Sequence, residues 1–435
     1  MDVPPVCVPF VSGARRRGLL LGLLLGALVI AVVATALFFL VPRPTLFFMT
    51  APIHRTRTLA PQRHSSAMRL SLPSSSSSSP LLQGRDCLLV PAIYSEEDEG
   101  YVIRMRLGVD NVLVVLDSGS ANLTVGTATC VKEALCSAHD GAYRPEASAR
   151  AINLHKPATL QYASVSMEAT WWQDVAALQF VKPPRGGACP APPALEAVET
   201  EAELPGLLPV AAARRMDGTA SNILGLMGAH AGQVDLPVLE HMLVALGLPR
   251  RWSLAAYADG AGWLVLGKLP ACFPSPKYVP LSSKFLYMGA PCVDIRAVRY
   301  RAPNGAWRAL PPGAFPAHAV CDTGTAESYI TAPFTRSFED VVGLPHRDAR
   351  VGKATVDALP EIQLELASGI TIVYSSAQYM VPAENGAFRC TVHCGDDKIA
   401  SLFGNAPVML VGIHHMFGLL MEVDLERGRV GFARL

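Results

Sequence analysis

The stretch that decides the fold is Val112–Val125, VLVVLDSGSANLTV. Its apolar run, Val112 to Leu116, is rich in β-branched residues and predicts a buried strand. Asp117 ends that run, and Ser118-Gly119-Ser120 follows. Gly119 permits a sharp reversal, because glycine adopts backbone angles that other residues resist. The strand therefore delivers a carboxylate to the mouth of a turn, with apolar packing behind it and hydroxyls beside it. Burial of that kind makes ionising the carboxylate costly. Taken alone, one Asp-Ser-Gly reads as an ordinary Asx-turn between two strands.

The motif is not alone. Ala319-Val320-Cys321-Asp322-Thr323-Gly324-Thr325 repeats its grammar of apolar residues, Asp, hydroxyl, Gly and hydroxyl. Each copy is followed at long range by an apolar run ending in glycine. These are Ile223-Leu224-Gly225 after the first and Met409-Leu410-Val411-Gly412 after the second. Two similar halves predict a duplicated architecture with a pseudo-two-fold axis, at which Asp117 and Asp322 meet.

On these paired motifs the chain resembles the pepsin-like aspartic proteases, from Tyr101 to Leu435. The resemblance implies an all-β, mainly antiparallel fold: a bilobal double β-barrel with an active-site cleft between the lobes. The lobes would span 96–268 and 269–435, with Lys277-Tyr278-Val279-Pro280-Leu281 opening the second. It implies an endopeptidase acting on peptide or protein substrates, with no cofactor and no metal, as a monomer. Asp117 and Asp322 would be catalytic. Ser120 and Thr325 would hydrogen-bond the carboxylates, Ser118 and Thr323 would brace the turns, and Gly119 and Gly324 would shape them. Two carboxylates ~3 Å apart cannot both ionise, so they share a proton. One takes a proton from a water while the other polarises the scissile carbonyl. Tyr162, at the end of a strand–turn–strand pattern, would be the flap tyrosine. The short spacing of Cys130 and Cys136 fits a small disulfide loop, which the family also carries.

There are departures from the family pattern. Ala163 stands where a glycine is usual, and Thr124 where a tryptophan supports the flap. Ser118 replaces the commoner Thr but retains the hydroxyl. Val411-Gly412-Ile413 replaces the usual Gly-Asp, which bears on packing. The flap departures leave open a second reading, a pepsin-like peptide binder that no longer cuts.

The chain has 435 residues, a formal net charge of +1 and 50% hydrophobic residues. So small a charge gives no basis for nucleic-acid binding. A mean hydropathy of +0.29 points to a membrane segment. Residues 1–17 form a short cytosolic head ending in Arg15-Arg16-Arg17. The uncharged span Gly18–Val41 follows. At ~1.5 Å per residue it reaches roughly 36 Å, enough to cross a bilayer core of about 30 Å. The arginines before it orient the rest of the chain outward, to the lumen or exterior, as a type II signal anchor. Ala34-Thr35-Ala36 resembles a signal-peptide cleavage site, but the apolar run continues past it, which favours the anchor. Residues 42–95 read as an irregular stalk or propeptide, interrupted by prolines and by the spacer Ser74–Ser79.

Ten cysteines occur. Cys7 lies before the span, so those after it cannot all pair with one another. In an oxidising lumen disulfides are the default. Cys390-Thr391-Val392-His393-Cys394, near His414 and His415, could be a metal fragment in an unrelated membrane ectodomain, but it has no second ligand pair at a recognised spacing. Asp235–Leu248 has helical apolar spacing, with Asp235 as N-cap. The sequon Asn122-Leu123-Thr124 sits behind the first turn on a buried strand and is expected to be unglycosylated.

Overall fold

A computed structural model describes residues 85–435 apart from 163–164, 184–188, 199, 218–220, 230–236, 284–288, 312, 332–341, 347, 395–402 and 404–406. The span Gly18–Val41 and the spacer Ser74–Ser79 lie outside the described residues. Among those described, no helix is long and apolar enough to cross a membrane.

The described chain is mostly β, in two mixed sheets of 15 and 8 strands with one small hairpin beside them. This bears out the all-β expectation, with no closed ring of strands among the described residues. The strand Asp110–Asp117 follows the hairpin from Gly100–Leu107, with Leu107 opposite Asp110. It runs parallel to Ile223–Gly225, which pairs antiparallel with Leu123–Gly126. The second sheet repeats this arrangement. His318–Cys321 runs parallel to Val408–Val411, which pairs antiparallel with Ser328–Ile330. Outside each trio lies one more parallel partner, Leu208–Asp217 beside Leu123–Gly126 and Val392–Cys394 beside Ser328–Ile330. These are the four parallel strand pairings among the described residues. All of them flank the two Asp-containing turns.

The duplication explains the distant apolar-apolar-Gly runs. Each supplies the strand inserted between the two strands that bracket a turn. A Cβ on Gly225 would lie 2.6 Å from the Ser120 carbonyl oxygen, and one on Gly412 would overlap the Glu327 carbonyl. Glycine is required because the turn's backbone passes where a side chain would start.

The halves join through an antiparallel platform. In order it runs Lys277–Pro280, Arg429–Arg434, Leu419–Asp424, Arg251–Ala256, Ala261–Gly267 and Cys87–Ser95. Its central seam pairs Arg251 with Asp424 through to Ala256 with Leu419. Trp252 and Trp263 are fully buried, one in the apolar cluster on each face of the platform. The Asp424 carboxylate is also fully buried, and Arg429 at 2.9 Å and Arg251 at 3.4 Å neutralise it. One buried apolar cluster runs from Leu88 through Leu116 and Leu224 to Val411 and Val423.

Two expectations need correction. Residues 42–95 are not irregular throughout, because Cys87–Ser95 is a platform strand paired with Ala261–Gly267. Proline argues against a strand there, yet Pro91 sits within it opposite Trp263. Apolar burial of Leu88, Leu89 and Val90 outweighs the lost donor. The helix expected over Asp235–Leu248 runs from Val238 to Ala245, with Pro237 at its N-cap and no side-chain cap bond. Asp235 lies outside the described residues.

Cys130 and Cys136 form a disulfide, and Cys189 pairs with Cys272, a bond that motif and spacing did not reveal. The bonds close loops of very different length, with sequence separations of 6 and 83. Chain entropy assigns about 2 kcal/mol to the short loop and roughly 4–5 kcal/mol to the long one. Cys272→Ala is therefore expected to lower urea stability more than Cys136→Ala. Equal losses in equilibrium unfolding would show that loop closure is not what these bonds chiefly contribute.

Candidate active site

Each turn is fixed by the same local chemistry. Asp117 Oδ1 accepts the Gly119 N–H at 2.7 Å, and Asp322 Oδ1 accepts the Gly324 N–H at 3.1 Å. These are Asx-turn bonds, as the motif read alone predicts. Behind each turn the inserted strand adds backbone bonds. Leu226 N–H donates to the Asp117 carbonyl at 2.7 Å, and Asp322 N–H donates to the Val411 carbonyl at 3.0 Å.

The structure brings the two turns together. A Cβ placed on Gly119 would lie 2.8 Å from Asp322 Oδ1, and one on Gly324 would overlap the Asp117 carboxylate. Each carboxylate thus rests against the glycine of the other turn, which explains why the motif needs glycine at both positions. Ser118 and Thr323 bind the turns crosswise. Ser118 Oγ accepts the Thr323 N–H at 2.9 Å and donates to the Cys321 carbonyl at 2.8 Å. Thr323 Oγ1 accepts the Ser118 N–H at 3.0 Å and donates to the Leu116 carbonyl at 2.7 Å. Both residues are fully buried, so all four bonds form out of water.

The outer hydroxyls differ. Thr325 Oγ1 donates to Asp322 Oδ2 at 2.8 Å. Ser120 lies close enough to Asp117 to favour its ionised form, but Ser120 Oγ is buried without a well-formed hydrogen bond. Geometry decides here, so Ser120 is a neighbour of the carboxylate and its hydroxyl is not locked onto it. Burial, then the Asp322 charge, hold the Asp117 carboxyl well above the usual carboxylate range. Asp117 is 8% exposed, while Asp322 is half-buried.

Tyr162 follows the strand Ile152–Gln161, and its N–H donates to the Val165 carbonyl at 2.8 Å, where the chain reverses into Ser166–Asp174. Its phenol lies 3.1 Å from Thr124 Oγ1. Burial raises the phenol's pKa and the Asp117 charge adds to that, so Tyr162 is neutral. Thr124 is fully buried behind the first turn. It supplies a hydroxyl partner where the family pattern has a tryptophan.

Several supporting residues carry no sequence signal. The Asn222 side chain donates to the Leu113 and Asp140 carbonyls at 3.1 and 3.2 Å and accepts the Gly126 N–H at 2.8 Å. In the second half, Ser328 Oγ accepts the Gly412 N–H at 2.9 Å and meets His415 Nδ1 at 2.8 Å. Burial pushes His415 down to about 3, so the ring is neutral. Ile413, at the place of the family's acidic residue, is fully buried. His393 of the CTVHC run contacts the Glu327 carboxylate, which also pairs with Arg389. Glu327 thus joins His393 and Arg389 beside the second turn.

Ser118→Ala removes two of the four crosswise bonds and leaves a buried N–H without its acceptor. A loss of about 1–3 kcal/mol is expected, with a similar loss for Thr323→Ala. The double variant should lose less than the sum, because the bonds form one unit. Denaturant unfolding of the three variants measures this, and strict additivity would contradict the shared network.

No curated protein gives a match to the chain. Residues 100–218, which contain Asp117, the Cys130–Cys136 loop and Tyr162, match the eukaryotic aspartyl protease family.

Proposed function

We propose that the chain is an aspartic endopeptidase with Asp117 and Asp322 as its catalytic pair. One observation carries this reading: each carboxylate lies against the glycine of the opposite turn, within a crosswise network that holds both. The family match supports a peptidase at the level of the family.

The chemistry follows from the different surroundings of the two groups. Asp117, more deeply buried, is the better holder of the shared proton. Asp322, half-buried and held by Thr325 and Gly324, is suited to take a proton from water. The water oxygen attacks the peptide carbon while Asp117 gives its proton to the carbonyl oxygen, forming a tetrahedral diol. Collapse of the diol transfers a proton to the amide nitrogen and breaks the C–N bond. The products are an acid and an amine, and no acyl-enzyme forms. Thr124 anchors Tyr162 beside Asp117, so the altered flap pattern has its own hydroxyl contact.

Asp117→Asn and Asp322→Asn are each expected to abolish cleavage of a peptide library by the detergent-solubilised full chain. The losses should be non-additive, since the pair acts as one group. The pH–rate profile should be bell-shaped, its limbs belonging to the pair. The alkaline limb should lie well above the ordinary carboxylate range, because cleavage stops when the shared proton leaves and Asp117 holds it tightly. Stability has the same sign. A carboxyl raised on folding stabilises most at low pH, and that contribution is lost as pH rises through the folded value. Asp117→Asn cannot ionise, so at pH 7 its Tm should equal or exceed that of wild type. Cleavage at the wild-type rate by either Asn variant would end the protease reading. Binding of a statine-type mimic without any cleavage would make the chain a peptide binder.

We also propose that Gly18–Val41 anchors the chain as a type II membrane protein with its catalytic region lumenal or exterior. The two disulfides support an oxidising compartment. On sealed microsomes an epitope at Leu435 should resist protease until detergent is added. Digestion without detergent would place it in the cytosol.

A further inference from the structure

Away from the two turns, three side chains converge in the first half. Asp98 belongs to the acidic turn Glu96–Glu99, and His139 and Asp140 follow the Cys130–Cys136 loop. One ligand-bearing atom from each of Asp98, His139 and Asp140 lies within 4.8 Å of the other two. Asp140 is only 3% exposed. Its Oδ2 accepts the Asn222 N–H at 3.2 Å, but its Oδ1 is buried with no hydrogen-bond partner among the described residues. The Asp140 carboxylate also faces that of Asp98. The Asp98 oxygens already accept the Ser95 and Ser221 hydroxyls, at 2.6 and 2.5 Å. Two carboxylates that face each other with no donor between them repel unless a proton or a cation joins them.

We propose that Asp98, His139 and Asp140 bind one divalent transition-metal cation, with zinc the best match. The donor set decides the class. Calcium and magnesium favour cages made wholly of oxygen, whereas imidazole with carboxylates suits zinc and its neighbours. The two aspartates neutralise the cation, and three protein ligands leave a position for water. Glu97 Oε2 lies 3.1 Å from His139 Nδ1, a supporting carboxylate of the kind that steadies metal-ligating imidazoles. CTVHC takes no part, and its His393 is engaged with Glu327.

The role that follows is a brace beneath the first turn. The Asp140 carbonyl accepts the Leu113 N–H at 2.8 Å, and the Asn222 carbonyl accepts the Val115 N–H at 2.8 Å. Asn222 leads directly into Ile223–Gly225, which runs beside Val115–Asp117. A cation that fixes Asp140 therefore fixes the strand carrying Asp117 and its inserted neighbour. The site is independent of the peptidase reading and stands or falls by metal binding alone.

The test uses the detergent-solubilised full chain, stripped with EDTA and then titrated with zinc chloride by calorimetry. Thermal unfolding is followed in parallel, and cobalt substitution supplies a visible ligand-field spectrum. One zinc per chain should bind at micromolar or tighter affinity and raise Tm, and cobalt should give absorption that zinc displaces. His139→Ala alters a side chain that is 48% exposed, so the fold should be retained. It should weaken zinc at least tenfold, and Asp98→Asn should do the same. Failure of wild type to bind zinc would overturn the proposal. Unchanged zinc affinity in both variants would also overturn it.

Discussion

Ser118 and Thr323 carry a constraint that the rest of the molecule serves. Each hydroxyl accepts one backbone N–H from the opposite turn and donates to one carbonyl beyond it. Such a bond cannot be made halfway, because each turn completes the hydrogen bonding of the other. Neither turn could keep its shape in isolation without leaving polar groups buried and unmet. The network thereby sets the separation of the two carboxylates, which rest on the opposing glycines. The shared-proton chemistry proposed for the pair depends on that separation far more than on either side chain's own acidity.

Burying the Asp117 carboxyl beside that of Asp322 works against its ionised form, first by burial and then by the Asp322 charge. The offset comes from elements far from the turns. The platform seam joins Arg251–Ala256 of one half to Leu419–Asp424 of the other through a full antiparallel ladder. Its tryptophans and Asp424 are buried, and Arg251 and Arg429 neutralise the carboxylate. Burial of apolar surface at the platform stabilises the arrangement that strains the site, a division of labour common at functional sites.

The sequence was most legible where local chemistry and long-range role coincide. VLVVLDSGS needed only strand propensity, a carboxylate and a glycine to be read, and its second copy supplied the symmetry. The distant Ile223-Leu224-Gly225 and Val411-Gly412 runs could be paired with the turns by repetition, because backbone crowding excludes any Cβ there. Asn222 and Asp140 were silent, since a single Asn or Asp has no local pattern and acts through partners distant in the chain. The Cys189–Cys272 bond was silent for the same reason. The strand Cys87–Ser95 was hidden because the proline-interrupted stretch before it was read on through residue 95 as one irregular segment.

Thr124 shows how one substitution is absorbed. A threonine hydroxyl lies close to its own backbone, so a phenol that meets it must come down near the strand Leu123–Gly126. Tyr162 does so, and it packs against the buried cluster of Val165, Met167, Ala213 and Met216, against which Cys136 and Ile223 also pack. The phenol is thus seated by the Thr124 hydroxyl and by an apolar cluster that the disulfide loop also covers. Cys136 belongs to the loop that leads into His139 and Asp140, and Ile223 follows Asn222. The tyrosine's seat, the strand bearing Asp117 and the Asp98–His139–Asp140 cluster therefore share one set of supports. A change that loosens that loop reaches the phenol and the carboxylate together, even though it touches neither.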